Sequence, residues 1–162
     1  MQKTSSIAKK LASDAITHPH LSRLTLMEGE TFSWDHTACA ITFIANAPHA
    51  DAYLLHEYAH ALLAHQTYRS DLELIRMERA AWKKAKELSE AYGVAIDENL
   101  VENSLDTYRD WLHARSLCPK CGATGVQMAP REYRCIACDN EWRVNEARTC
   151  ALRRHTIKKH PR

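Results

Sequence analysis

Four cysteines constrain the folding of this chain more than any other feature of its sequence. They form two C-x2-C pairs separated by 13 residues: Cys118, Cys121, Cys135 and Cys138. Four thiolates in two tight turns satisfy the tetrahedral coordination of a structural zinc ion. Gly122 and Asp139 follow the pairs, where a positive φ would let backbone N–H groups point at sulfur. The segment is too short for a hydrophobic core of its own, so we expect metal binding to supply its folding energy.

Disulfides and a redox site are the alternative interpretations of these cysteines. Residues 1–16 contain no apolar run of signal-peptide length, and no stretch of about 18 consecutive apolar residues occurs, so we expect a cytoplasmic protein without a membrane partner. Reduced thiols in that compartment disfavour disulfides, and paired C-x2-C motifs outside a βαβ context disfavour redox chemistry. The segment 117–144 therefore resembles a zinc ribbon. Cys39 and Cys150 lack partners at ligand spacing, and Cys39 fits a buried strand position.

Composition and charge exclude several classes of protein. The 162 residues are 45% hydrophobic and 26% charged, which excludes a disordered, collagen-like or low-complexity chain. The formal net charge of +2 conceals an acidic middle and a basic tail over 145–162. A solvated tail is the simpler interpretation of these charges, and a contact with nucleic acid or an acidic partner is the alternative.

Hydrophobic periodicity predicts an α+β body over 1–116, with the ribbon and the tail following it. The predicted helices cover 4–17, 48–66, 70–92 and 97–116. Ser70 and Glu73 form a capping box at the third of these helices, and Gly93 is its left-handed stop. Alternating patterns predict strands at 24–27, 32–34 and 39–45, which we expect to form a small antiparallel sheet.

The second predicted helix contains an H-E-x-x-H motif. His56 and His60 are four residues apart, so both imidazoles lie on one face and can reach the same zinc ion. Glu57 is placed to remove a proton from a water that the metal holds as that water attacks a carbonyl. Leucines flank the motif, and unpaired polar groups are costly in such surroundings. The alternative is a pair of histidines satisfied by ordinary hydrogen bonds.

A catalytic zinc site of this kind needs a third protein ligand. His65 is nearest in sequence, but on a continuous helix it would point about 140° away from His60, so we do not expect it to bind the metal. Glu73 already has a role in the capping box. Glu78 interrupts an otherwise apolar stripe of the next helix, and a buried carboxylate requires a partner. We therefore predict that His56, His60 and Glu78 hold the metal and that water fills the fourth position, with an ion pair to Arg or Lys as the alternative for Glu78.

These motifs together resemble the ImmA/IrrE family of zinc metallopeptidases. The resemblance rests on LLHEYAHALL at 54–63 and on Glu78-x-x-Ala81, with 17 residues between His60 and Glu78, and it covers about 30–90. It implies a compact zincin fold with a glutamate as third ligand, and endopeptidase activity on a protein or peptide substrate. It also implies that a strand near 41–45 forms the edge of the cleft and pairs with an extended substrate. The chain departs from better-known members in carrying a cysteine module and no helix-turn-helix domain.

Three other interpretations compete with this one. An H-E-x-x-H domain followed by a zinc ribbon also resembles the SprT family, which is linked to DNA-bound protein substrates, although that family expects a third histidine rather than Glu78. Another possibility is a purely structural double-zinc protein of a larger assembly. The last is a binding module in which the zincin site is vestigial or regulatory and the ribbon contacts nucleic acid. Its contacts would come from the basic tail and from residues of the ribbon: Arg131, Tyr133, Arg134, Trp142 and Arg143. Tyr108 and His113 could assist catalysis, but packing in the core and surface exposure are the simpler expectations for them.

Overall fold

A computed structural model describes residues 3–146 and 151–157 of the chain. Cys150, Lys158, Lys159 and Arg162 lie outside the described residues. The four helices are α1 (Lys3–Ala15), α2 (Ala50–Leu62), α3 (Asp71–Tyr92) and α4 (Glu98–Ser116). The strands are β1 (Thr25–Glu28), β2 (Ser33–Asp35), β3 (Ala40–Phe43), β4 (Gly125–Ala129), β5 (Glu132–Cys135), β6 (Glu141–Val144) and β7 (Arg154–Thr156). The predicted α+β class is confirmed.

The chain divides into two compact units. The first contains the chain up to Thr67 together with Met77–Val101, and the second contains Tyr68–Arg76 together with the chain from Glu102 onward. Helices α3 and α4 therefore each contribute residues to both units. No helix in the described ranges is both long enough and apolar enough to cross a membrane.

The sheet of the first unit is mixed, with the strand order β1-β3-β2. Strands β2 and β3 form an antiparallel hairpin, in whose turn Asp35 accepts hydrogen bonds from two backbone N–H groups. Strand β1 runs parallel to β3, so the expectation of a wholly antiparallel sheet was wrong. Alternation of side chains identifies a strand but not its direction, and here β3 lies between the two strands that precede it.

Strand β3 is the central strand of this sheet and not its edge. It pairs along one side with β1 and along the other with β2, so the expectation that a strand near 41–45 forms the cleft edge was also wrong. Its side chains Ala40, Ile41 and Phe43 are buried, as suits a central position. Gly29 ends β1 beside it, where an added Cβ would lie 2.5 Å from Thr42 Cγ2.

Capping interactions mark both ends of α3 and the start of α4. Ser70 Oγ accepts a hydrogen bond of 3.1 Å from the backbone N–H of Glu73, and Gly93 ends α3 with φ of 64°. Asp97 caps α4 by accepting a 2.8 Å bond from the N–H of Leu100. Each cap satisfies backbone groups that helix ends leave unpaired.

Helix α2 is shorter than predicted and ends in a Schellman motif without glycine. Ala64 takes the left-handed conformation with φ of 52°. Its N–H donates to the carbonyl of Ala61 at 3.0 Å, and the N–H of His65 donates to the carbonyl of His60 at 3.0 Å. The chain therefore turns back at Ala64 instead of continuing to about 66, and this reversal determines where His65 lies.

The ribbon in the second unit is a four-stranded antiparallel sheet with the order β4-β5-β6-β7. The buried side chains Cys118, Tyr133, Cys135, Trp142 and Val144 form its core. The rings of Tyr133 and Trp142 stack with centroids 5.6 Å apart. A side chain at position 125 would clash with the indole ring of Trp142, so Gly125 allows this ring to pack against the strand. Two of the five core residues are candidate metal ligands, so little apolar material holds this sheet together.

Candidate metal centres

Two helices of the first unit bring His56, His60 and Glu78 together. Helix α2 presents both histidines from one face, and α3 presents Glu78. The exposed fraction is 3% for His56, 7% for His60 and 5% for Glu78. The two Nε2 atoms lie 3.1 Å apart. Glu78 Oε2 is 3.1 Å from His56 Nε2, and Glu78 Oε1 is 3.5 Å from His60 Nε2. All three predicted ligand atoms thus converge on one buried point.

The donor set and its spacing fit a divalent metal such as zinc. Ligand atoms at about 2.0–2.2 Å from one tetrahedral ion lie roughly 3.4 Å from each other, close to the observed separations. Burial opposes the charge of Glu78, but hydrogen bonds with His56 and His60 hold the pKa of this carboxyl below its usual range. The sequence left an ion pair of Glu78 with Arg or Lys as the alternative. Among the described residues, the ion pairs of Glu78 are with His56 and His60 instead.

Glu57 lies next to this cluster and is half-buried. Burial raises the pKa of its carboxyl, and the charges of His56 and His60 oppose that rise. A backbone hydrogen bond from Trp34 of β2 also lowers the pKa. Glu57 therefore lies where α2 faces the edge strand β2.

Aromatic rings form one wall of the cluster. The ring of Trp82, one turn after Glu78 on α3, stacks on His56 with centroids 4.2 Å apart and planes 23° apart. Tyr53 meets Trp82 edge-on, and Phe32 packs on Tyr53. This stacking restricts rotation of the His56 imidazole.

His65 contacts the cluster, which the sequence did not predict. Its Nδ1 lies 2.8 Å from Nδ1 of His60, while His60 uses Nε2 toward His56 and Glu78. His65 is not one of the three converging donors, in keeping with its rejection as a ligand. Burial, with the neighbouring His60 as a further cause, lowers the pKa of His65 to about 4. No sequence signal reveals this contact, because it depends on the reversal at Ala64 and the usual glycine is absent.

The four ribbon cysteines form a second donor cluster. Their sulfur atoms all lie within 4.8 Å of one another, with Cys118–Cys138 at 3.7 Å and Cys121–Cys135 at 3.5 Å. Four sulfurs bound at about 2.3 Å to one tetrahedral zinc ion would lie roughly 3.8 Å apart. The arrangement therefore matches a four-thiolate metal site.

The backbone around each pair is arranged for thiolates. The N–H of Lys120 donates to the sulfur of Cys118 at 3.4 Å, and the N–H of Ala137 donates to that of Cys135 at 3.4 Å. Gly122 and Asp139 have φ of 76° and 55°, as predicted. At Cys118 burial opposes ionisation, but backbone hydrogen bonds outweigh it and lower the thiol pKa to about 6.

Other residues that the sequence singled out have different surroundings. Tyr133 and Trp142 are buried in the ribbon core. The arginines of the ribbon are ion-paired: Arg131 with Glu146, Arg134 with Glu141 and Asp139, and Arg143 with Glu132. Cys39 is half-buried in the β2–β3 turn with φ of 50°, not in a strand as expected. In the second unit, Tyr108 is half-buried and His113 is exposed on α4.

Comparisons with family models, curated proteins and solved structures gave no match. The resemblance to the ImmA/IrrE family is therefore carried by the motif residues alone.

Proposed function

We propose that this protein is a zinc-dependent metallopeptidase of the ImmA/IrrE kind. The convergence of His56 Nε2, His60 Nε2 and the Glu78 carboxylate, with Glu57 beside them, is the observation that carries this proposal. Three protein ligands leave a fourth position for water or substrate, which is typical of catalytic zinc sites and not of structural ones. The E-x-x-A spacing of Glu78 and Ala81 agrees with the family pattern.

His56, His60 and Glu78 would hold the ion. Bound zinc supplies Lewis-acid activation of water and of a carbonyl group. Glu57 would act as general base, since its carboxylate is adjacent to the first ligand and can accept the proton of the attacking water. The same carboxyl would then donate that proton to the leaving amine. Burial of Glu57 favours this exchange because it raises the carboxyl pKa toward neutrality.

The substrate we propose is an extended segment of a protein or peptide. Strand β2 has one side paired with β3, and Trp34 of this strand hydrogen-bonds with Glu57. An extended chain that added to β2 would therefore pass beside the general base. This assigns the substrate edge to β2, since β3 has both of its sides occupied.

Glu57→Gln tests the proposal, because it removes the base and keeps the shape of the side chain. We expect the variant to retain the metal in the His56 site and to lose at least about 100-fold in hydrolysis of fluorescein-labelled casein. Glu87→Gln is the matched control, since Glu87 is an exposed glutamate on α3 that pairs with Lys84. Hydrolysis by Glu57→Gln at the wild-type rate would contradict the mechanism.

The nucleic-acid-binding alternative is less well supported by the ribbon surface. Tyr133 and Trp142 are buried, so their rings cannot stack on bases without unfolding the ribbon core. Arg134 and Arg143 make ion pairs with glutamates, which reduces the local positive charge. Strongly salt-dependent DNA binding without proteolysis at any pH would favour that alternative over peptide hydrolysis.

A further inference from the structure

We propose that His65 is a positioning residue that holds His60 in the tautomer able to bind a metal through Nε2. This inference rests on the proposed metal site and adds to it a residue outside the H-E-x-x-H and glutamate motifs. His65 is not among the converging donors, so its proposed effect is on the metal affinity of the site and on the orientation of the His60 ring.

The direction of the hydrogen bond follows from the ligand geometry. Nε2 of His60 faces His56 and Glu78, so metal binding requires the lone pair at Nε2 and the proton at Nδ1. His60 Nδ1–H must then donate, and Nδ1 of His65, 2.8 Å away, must accept. The rings lie 4.9 Å apart at 66°, an edge arrangement compatible with this bond. An outer partner of this kind fixes a ligand's orientation and increases its basicity.

The backbone holds His65 at this position against a local strain. His65 is the third residue after the end of α2, and it returns to His60 only because Ala64 adopts φ of 52°. The left-handed conformation costs a residue with a side chain roughly 1 kcal/mol, and such strain often marks a functional site. The indole N–H of Trp34 donates to the carbonyl of His65 at 2.9 Å and ties the turn to β2.

His56 is oriented in a different way. Its Nδ1 is buried and has no hydrogen-bond partner among the described residues. The stacked ring of Trp82 restrains it instead. Of the two histidine ligands, His60 is therefore the one whose tautomer depends on another side chain.

Two substitutions at His65 separate the hydrogen bond from packing. Asn carries its amide oxygen on Cγ, as His carries Nδ1, so His65→Asn keeps an acceptor at the required position. His65→Gln moves the amide one atom further from the backbone and loses that acceptor. His36 and His65 both line a cavity of about 150 Å³. His36 is exposed, so His36→Gln is a matched control.

The experiment measures Co²⁺ affinity of the full chain by chelator competition after zinc has filled the four-cysteine site. We expect His65→Gln to bind Co²⁺ about 10–100-fold more weakly than wild type, while His65→Asn and His36→Gln stay within about threefold. Long-range ¹H–¹⁵N spectra of the zinc-loaded protein give a second readout. The Nδ1–H tautomer of His60 should dominate in wild type and His65→Asn and be lost or mixed in His65→Gln.

The outcomes distinguish this inference from the proposed function. Wild-type affinity in His65→Gln, together with an unchanged His60 tautomer, would overturn the positioning role and leave the metal site intact. A wild-type protein that binds no metal at His56 and His60 would overturn both. If His65→Gln fails to fold, His65→Asn decides. A folded Asn variant with strongly weakened binding or a mixed His60 tautomer would overturn the positioning role, and wild-type affinity with the Nδ1–H tautomer would support it.

Discussion

The two donor clusters differ in how many ligands they offer and in what surrounds them. The ribbon supplies four cysteines from two tight turns, whereas the first unit supplies two histidines and one glutamate from two long helices. Four protein ligands complete a tetrahedron and leave no position for substrate, while three leave one open. We therefore expect the four-cysteine cluster to serve folding and the His56, His60 and Glu78 cluster to serve the proposed hydrolysis.

Their dependence on metal should differ in the same way. The ribbon core contains five buried residues, and two of them are ligands. In the first unit, α2 and α3 also bury many side chains that are not candidate ligands, among them Leu55, Ala59 and Trp82. We therefore expect metal binding to stabilise the ribbon, and we expect the first unit to fold without a metal ion.

Cys135→Ser should have the largest effect, because it removes both a ligand and a core residue. We expect the chain to bind one metal ion instead of two and the ribbon to unfold, since structural zinc contributes on the order of 10 kcal/mol to such small modules. Loss of dispersed ¹H–¹⁵N resonances from β4–β7 and a zinc count per chain measure this. Cys39→Ser is the control, and a folded ribbon with two metal ions in Cys135→Ser would remove the distinction between the sites.

Glu78→Gln tests the other half of the comparison. The first unit should stay folded, because its helices and sheet keep their apolar packing, but metal affinity at His56 and His60 should fall by more than about 100-fold. Chelator competition gives the affinity, and circular dichroism of the metal-free protein reports the fold. Loss of helical signal in Glu78→Gln would contradict the view that this fold exists independently of its metal, and wild-type affinity would contradict the role of Glu78 as a ligand.

The smallest effect is expected at Ala64, where the turn that places His65 is strained. Ala64→Gly relieves the left-handed strain, and we expect a gain of about 0.5 kcal/mol after the added flexibility of the unfolded chain is subtracted. Ala64→Val should lose at least about 1 kcal/mol, since a β-branched residue tolerates positive φ poorly. Urea unfolding midpoints measure both. Equal midpoints for the Gly and Val variants would mean that the turn does not constrain the end of α2.

Features that depend on neighbouring residues could be predicted from the sequence. The cysteine spacing predicted the four-sulfur cluster, Ser70 and Gly93 predicted the ends of α3, and the interrupted apolar stripe identified Glu78. Each of these signals depends on residues close together in the chain or on one helix face.

The failures concern features set by distant packing. Strand direction and the central position of β3 depend on how three short strands associate, which side-chain alternation does not reveal. The contact of His65 with His60 depends on a helix end that lacks glycine, so an ideal helix placed the imidazole on the wrong side. The strand arrangement and the His65–His60 contact both depend on tertiary packing.

The coordination of a metal ion at His56 and His60 is the decisive test of a catalytic centre in the first unit. The measurement is anomalous diffraction at the cobalt edge from crystals of the full chain, with zinc in the four-cysteine site and Co²⁺ in the other. We expect Co²⁺ bound to His56 Nε2, His60 Nε2 and the Glu78 carboxylate, with no fourth protein atom within bonding distance. A fourth protein ligand, or cobalt absent from these residues, would contradict a catalytic metal centre at this position.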